Sequence, residues 1–234
     1  MEQLLVALDV DTAGEARALA DQLRGVVGGF KIGSRLFTSE GPALVEQLTG
    51  RGDRVFLDLK FHDIPHTVAG AIAAATRLGV WMVNVHASGG GAMMRAARVA
   101  AVEEAARRSV RLPLVIAVTM LTSLDQAAVA EIGLGSSVEA QVERLAVLTQ
   151  SAGLDGVVAS PQEIAAIRQR CGPGFTIVTP GIRGAADAKG DQSRTLSAAA
   201  ALVAGASYLV VGRPIIAAVD PRAAAERIAA ECRV

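Results

Sequence analysis

Val55-Phe56-Leu57-Asp58-Leu59-Lys60-Phe61-His62-Asp63-Ile64-Pro65-His66-Thr67 reads as a buried strand that ends in charge and turns at once into a helix. Val55, Phe56, Leu57 and Leu59 make a short apolar run, the pattern of a parallel strand covered on both faces. Side chains two apart on a strand share a face, so Asp58 and Lys60 project the same way, about 6.6–7 Å apart along the backbone. Asp63 follows the strand, on the turn before a helix opened by Pro65. Charges this dense are costly to desolvate unless paired, and groups that perturb each other's pKa often mark active sites.

The same strand-then-helix unit recurs along the whole chain. Short apolar runs at 4–9, 29–32, 54–60, 82–86, 114–119, 156–159, 176–179 and 208–211 predict strands. Helical patterns lie between and after them, at 13–26, 41–49, 65–78, 91–108, 138–152, 161–170, 197–204 and 221–232. Asp11-Thr12 and Ser160-Pro161 with Glu163 supply start signals, and Gly79, Gly153, Gly172 and Gly205 supply stops. This alternation runs without linker or composition break. It predicts an α/β fold, a single-domain (β/α)8 TIM barrel over residues 1–234. An open doubly wound sheet would favour a glycine-rich loop after the first strand, and Ala7-Leu8-Asp9-Val10-Asp11 is not one.

Composition narrows the function classes. Of 234 residues, 51% are hydrophobic and 20% charged, enough for one large core. Lys+Arg and Asp+Glu are 23 each, which argues against a general nucleic-acid or membrane-surface binder. Cys171 and Cys232 have no CxxC spacing, and His62, His66 and His86 form no zinc pattern. The start of the chain lacks the basic and long apolar regions of a signal peptide. A reduced, cytoplasmic protein without structural metal is expected. The uncharged run from Leu196 to Gly212 is broken by Gly205 and carries Ser197, Ser207 and Tyr208, so helix, turn and strand explain it better than a membrane span.

Polar residues gather where strands end. Asp9, Lys31, Asp58/Lys60, His86, Thr119/Thr122, Ser160, Pro180/Gly181 and Gly212/Arg213 lie at or just beyond the C-terminal ends, the rim on which barrel enzymes build their sites. Consecutive strands of a barrel are neighbours. Asp9, Lys31, Asp58 and Lys60 therefore form a row of alternating sign, in which each charge offsets the desolvation of the next. A structural ion-pair network is the plain alternative. Chemically, a carboxylate against a substrate anion raises the energy of that anion. An adjacent ammonium stabilises a developing carbanion and can donate its proton. That suits decarboxylation without a cofactor. Schiff-base chemistry on Lys31 or Lys60 is a second option, disfavoured by the flanking carboxylates.

After the last strand, Val211-Gly212-Arg213-Pro214 offers a close backbone N–H and a bidentate guanidinium, suited to phosphate. Thr179-Pro180-Gly181-Ile182-Arg183-Gly184 opens a polar loop that continues through Gly190-Asp191-Gln192-Ser193-Arg194, a candidate lid.

These motifs, in this order, resemble the orotidine 5′-phosphate decarboxylase family of the bacterial type. Ala7-Leu8-Asp9, Phe30-Lys31-Ile32-Gly33, Asp58-Leu59-Lys60-Phe61-His62-Asp63-Ile64-Pro65, Asn84-Val85-His86-Ala87, Leu121-Thr122-Ser123, Thr179-Pro180-Gly181-Ile182-Arg183, Gly190-Asp191-Gln192 and Val211-Gly212-Arg213-Pro214-Ile215 carry the likeness. It implies conversion of orotidine 5′-monophosphate to UMP by a homodimeric barrel with shared active sites and no metal or organic cofactor. Lys31, Asp58 and Lys60 of one subunit would join the partner subunit's Asp63, with Lys60 as proton donor to C6. Asp9, Lys31 and the partner's Asp63 and Thr67 would contact the ribose. Thr122 and Gln192 would hold the pyrimidine, and Arg183, Gln192, Gly212 and Arg213 the phosphate. His66 stands where the family usually has Asn. Metal-dependent sister enzymes, the 3-keto-gulonate-phosphate decarboxylases and hexulose-phosphate synthases, place an acid where this chain has Lys31. A non-catalytic nucleotide-phosphate sensor could keep Gly212 and Arg213 but would not need the charged row.

Overall fold

The computed structural model describes residues 2–182 and 196–232. Strands β1 (Leu4–Ala7), β2 (Gly29–Gly33), β3 (Val55–Phe61), β4 (Met82–His86), β5 (Leu114–Val118), β6 (Gly156–Val158), β7 (Thr176–Thr179) and β8 (Tyr208–Val211) close into a barrel in chain order. All neighbours are parallel, and β8 returns to β1 through Leu4↔Leu209 and Val6↔Val211. The expected barrel is the observed one.

Strand alternation divides the core into two apolar layers. Inward residues Leu5, Phe56, Met82, Ile116, Val178 and Val210 fill the barrel. Trp81 and Tyr208 meet edge-on at 4.9 Å at its N-terminal end, and the Arg54 guanidinium lies 5.6 Å from the Trp81 ring centre. Outward residues such as Leu4, Val6, Ile32, Leu57, Val83 and Val85 pack beneath the helices. The lower barrel is thus a packed plug, which leaves the C-terminal rim to hold polar groups.

The helices are α1 (Ala13–Leu23), α2 (Ser34–Glu40), α3 (Pro42–Gly50), α4 (Pro65–Arg77), α5 (Gly90–Arg108), α6 (Gln126–Glu131), α7 (Val138–Ser151), α8 (Ile164–Cys171), α9 (Ala198–Val203), α10 (Arg213–Ile216) and α11 (Pro221–Glu231). Thr12 caps α1 in a reciprocal box with Glu15, and Asp125, Ser137, Ser197 and Asp220 cap α6, α7, α9 and α11. Residues 161–170 divide into a 3-10 turn, Pro161–Glu163, and α8.

Three helices were not expected from the sequence: α2, α6 and α10. Each is a few residues long, too short to show a helical period, and is held by what flanks it. Helix α2 leaves β2 without a loop and ends at Gly41, whose φ of +68° breaks it from α3. The uncharged run before Gly212 resolves into α9, a turn and β8. Among the described residues no helix is long and apolar enough to cross a membrane.

Candidate active site

Sheet register assembles the charged row. Ala7 pairs with Lys31, and Gly33 pairs with Asp58. Lys31 therefore starts one inward layer below Asp58 and reaches up through the space beside Gly33. A Cβ at Gly33 would stand 3.0 Å from Lys31 Nζ and 3.5 Å from Asp9 Oδ1, so the missing side chain is what admits the ammonium. Lys31 Nζ ends 3.2 Å from Asp9 Oδ1 and 3.4 Å from Asp58 Oδ2. Lys60 Nζ contacts the other oxygen, Asp58 Oδ1, at 2.7 Å. The predicted sequence Asp9–Lys31–Asp58–Lys60 is continuous in space.

Asp58 is the hub. Its side chain is 12% exposed, and so is held away from bulk water. Burial by itself would raise its pKa. The charges of Lys31 and Lys60, with hydrogen bonds from Lys60 and Asn84, outweigh burial and hold the carboxyl below its ordinary range. The lysines thus keep a buried anion charged, the arrangement needed for a carboxylate to act on an incoming anion.

Above this row opens a cavity of about 510 Å³, suited to a nucleotide-sized ligand. Asp9, Lys31, Asp58 and Lys60 line one side, and Thr122, Gly212 and Arg213 line the rim beyond. Between them the floor is apolar, made by Ala7, Phe56, Val118, Val158 and Val210. One end is charged and alternating, the other carries a guanidinium, and the middle suits a flat ring.

Asp63 and Thr67, expected to serve the partner subunit's site, are exposed and lie outside this cavity. Asp63 Oδ1 accepts from the Ile64 N–H at 2.6 Å, and the residue borders a separate surface depression with His62, Pro65 and Gly89. His66 is exposed on the first turn of α4. Arg183 and Gln192 lie outside the described residues. Thr119 donates to the Val158 carbonyl at 3.1 Å, and Ser160 N–H donates to Glu163 at 2.8 Å. Thr119 thus ties the end of β5 to β6, whereas Ser160 caps the 3-10 turn that follows β6.

The model of the "Orotidine 5′-phosphate decarboxylase / HUMPS family" matches residues 2–228. The chain belongs to this family. A relative from Moorella thermoacetica, named orotidine 5′-phosphate decarboxylase, is 57% identical over 98% of this chain and 92% of its own. Another of that name, from Alkalilimnicola ehrlichii, is 55% identical over 98% and 95%. The crystal structure of orotidine 5′-phosphate decarboxylase from Lactobacillus acidophilus superposes with a TM-score of 0.88 at 35% identity, covering 99% of both chains.

Two residues of this family member have roles that the sequence pattern did not assign. Arg35, on α2, pairs with Asp11 and stands at the cavity mouth. Its signal was hidden because the sequence pattern assigns no element to residues 34–40. Asn84 is fully buried and donates through Nδ2 to Asp58 Oδ1 at 2.7 Å. Its signal was available: Asn84 shares strand parity with Met82 and His86, so it had to face the lumen.

His86 also faces the lumen, its ring 5.3 Å from that of His62. Burial first, then the charges of His62 and Lys60, push its pKa below the usual histidine value.

Proposed function

We propose that the chain is a carboxy-lyase that converts orotidine 5′-monophosphate to UMP, the last step of de novo pyrimidine synthesis, without metal or organic cofactor. The observation that carries the reading is the Asp58–Lys60 contact of 2.7 Å on the wall of a nucleotide-sized cavity. The names of the relatives supply the substrate class.

In this mechanism the substrate carboxylate lies against Asp58, which is held ionised. Repulsion raises the energy of the bound substrate and is relieved as the C6–carboxylate bond breaks. The electron pair stays on C6 as CO2 departs. Lys60 stabilises that charge and gives C6 its proton, and water returns a proton to Lys60. The balance is substrate plus one proton to UMP plus CO2.

The remaining assignments follow the same reading. Asp9 and Lys31 hold the ribose hydroxyls, and Thr122 holds the pyrimidine. Gly212 and Arg213 receive the phosphate, with Arg183 and Gln192 from the loop. Asp63 and Thr67 complete the site of the second subunit of a homodimer. Support for that pairing is the exposure of Asp63 and Thr67 away from their own cavity, beside Ile64, an apolar residue 66% exposed. The substrate is a soluble nucleotide, and we place the reaction in the cytoplasm, with no nucleic-acid or membrane partner.

Lys31 speaks against the metal-dependent sister reading. A divalent ion held by Asp9 and Asp58 would have to share space with an ammonium already 3.2 and 3.4 Å from those carboxylates. The test is loss of orotidine 5′-monophosphate absorbance with purified protein in EDTA. The rate is expected to equal that without chelator. Turnover that appears only on adding Mg²⁺ would sink this reading and favour the sister chemistry.

A further inference from the structure

The strand that carries Asp58 and Lys60 is irregular at the point where chemistry is expected. Lys60 has φ +53°, in the left-handed region that a residue with a Cβ seldom enters. The pairing of β3 with β4 shifts register between Leu57 and Phe61, so Lys60 sits on a bulge. Such a conformation costs on the order of 1–3 kcal/mol and persists only when its surroundings hold it.

Asn84, on β4, supplies the hold. Its Oδ1 accepts the main-chain N–H of Lys60 at 2.8 Å. Its Nδ2 donates to Asp58 Oδ1 at 2.7 Å. The orientation of the amide is fixed by its partners, because a backbone N–H can only donate and an ionised carboxylate can only accept. Asn84 is completely buried, so both bonds form without competition from water. The same Asp58 oxygen receives Lys60 Nζ at 2.7 Å. One side chain thus pins the backbone of the ammonium residue and orients the carboxylate that the ammonium touches.

We propose that Asn84 is the positioning residue of this site: it locks the bulge at Lys60 and aims the Asp58 carboxylate and the Lys60 ammonium at one point. The inference rests on the reading of Asp58 and Lys60 as the reacting pair. Asn84 reaches substrate through them and makes its contribution by geometry. It should therefore govern turnover far more than binding, since a displacement near 1 Å can cost about 100-fold in rate.

Asn84→Leu keeps the branched four-atom side chain, though in a bulkier form, and removes both hydrogen bonds. With folding checked by circular dichroism, kcat is expected to fall about 100-fold while KM for orotidine 5′-monophosphate and affinity for UMP change by only a few-fold. A folded Asn84→Leu with wild-type kcat, or one that loses affinity in proportion to rate, overturns the proposal. Asn84→Asp serves if the first variant does not fold. It keeps the acceptor for the Lys60 N–H and replaces the donor with a titrating oxygen facing Asp58. Only the protonated form of the introduced carboxyl can donate, so the optimum of kcat is expected to move to lower pH. A pH profile unchanged from wild type overturns the proposal. Lys60→Ala, assayed alongside, separates the two levels. Substantial turnover there sinks the reacting pair, whereas a dead Lys60→Ala beside a fully active Asn84→Leu sinks the role of Asn84 alone.

Discussion

Lys60 Nζ lies 2.7 Å from Asp58 Oδ1, although the two residues leave one strand two positions apart. Regular strand geometry puts the Cα atoms of such a pair about 6.6–7 Å apart, with both side chains pointing the same way. The bulge at Lys60 bends its side chain back onto the carboxylate, while Lys31 approaches from the neighbouring strand onto the other oxygen. The carboxylate therefore carries an ammonium on each oxygen, and the space in front of it is left to the ligand.

Arg213 stands at the far rim of the cavity from this pair. Arg213→Ala should raise KM for orotidine 5′-monophosphate roughly 10–100-fold, the worth of one hydrogen-bonded charge pair. Steady-state kinetics decide it. An unchanged kcat/KM would refute the phosphate assignment.

The proposed sharing of the site between subunits predicts complementation. Lys60→Ala and Asp63→Ala should each be inactive alone. A mixed dimer rebuilds one intact site, from Lys60 of one subunit and Asp63 of the partner subunit. Random mixing should then restore roughly a quarter of wild-type activity. Mixed dimers isolated by two tags and found inactive would place the whole site within one chain.

Much of this site was legible in the sequence because its elements obey strong local rules. Asp9, Lys31, Asp58 and Lys60 stand at the ends of strands whose order in the barrel is their order in the chain, so adjacency followed from topology. Asn84 belongs to a motif that carries the family likeness, but its role was not legible: a neutral amide inside Met82-Val83-Asn84-Val85-His86 reads as a strand residue, and what it does depends on a register shift between two strands. Gly33 closes the motif Phe30-Lys31-Ile32-Gly33, yet the reason for a glycine there is lateral: it clears the path of Lys31. Helices α2, α6 and α10 were illegible because a turn or two of helix has no readable period. Asp63 is a different case. It lies past the strand in the sequence, and the resemblance assigns it to the partner subunit's site; in the structure it is exposed and faces away from its own cavity.

His86 gives a pH signature. Its pKa in the folded chain lies below the ordinary value of 6.5, so the unfolded chain binds the proton more readily. Stability from this group is complete above that ordinary value and is lost as pH falls through it toward the depressed folded value. Urea midpoints measured at pH 7 and pH 5 should fall more for wild type than for His86→Gln. Equal falls would remove His86 as the cause.

Arg168 ties the opposite end of the barrel. It donates to the carbonyls of Gly172 at 2.8 Å, Pro173 at 2.9 Å, Phe175 at 2.7 Å and Gly205 at 2.6 Å. These segments lead into β7 and β8. Arg168→Met leaves several carbonyls without partners and should cost about 2–4 kcal/mol in denaturant unfolding, with kcat/KM unchanged. A comparable loss of kcat/KM would show that this end communicates with the cavity.

The central claim is that Lys60, held against Asp58, delivers the proton that completes decarboxylation. Turnover of orotidine 5′-monophosphate in D2O with EDTA, by wild type and by Lys60→Ala side by side, tests it most directly. Wild type should yield UMP with one deuterium at C6. Lys60→Ala should still bind UMP and yet be slower by more than about 100-fold, the least that a lost general acid removes. Turnover by Lys60→Ala close to the wild-type rate, with the same deuterium at C6, would contradict the account.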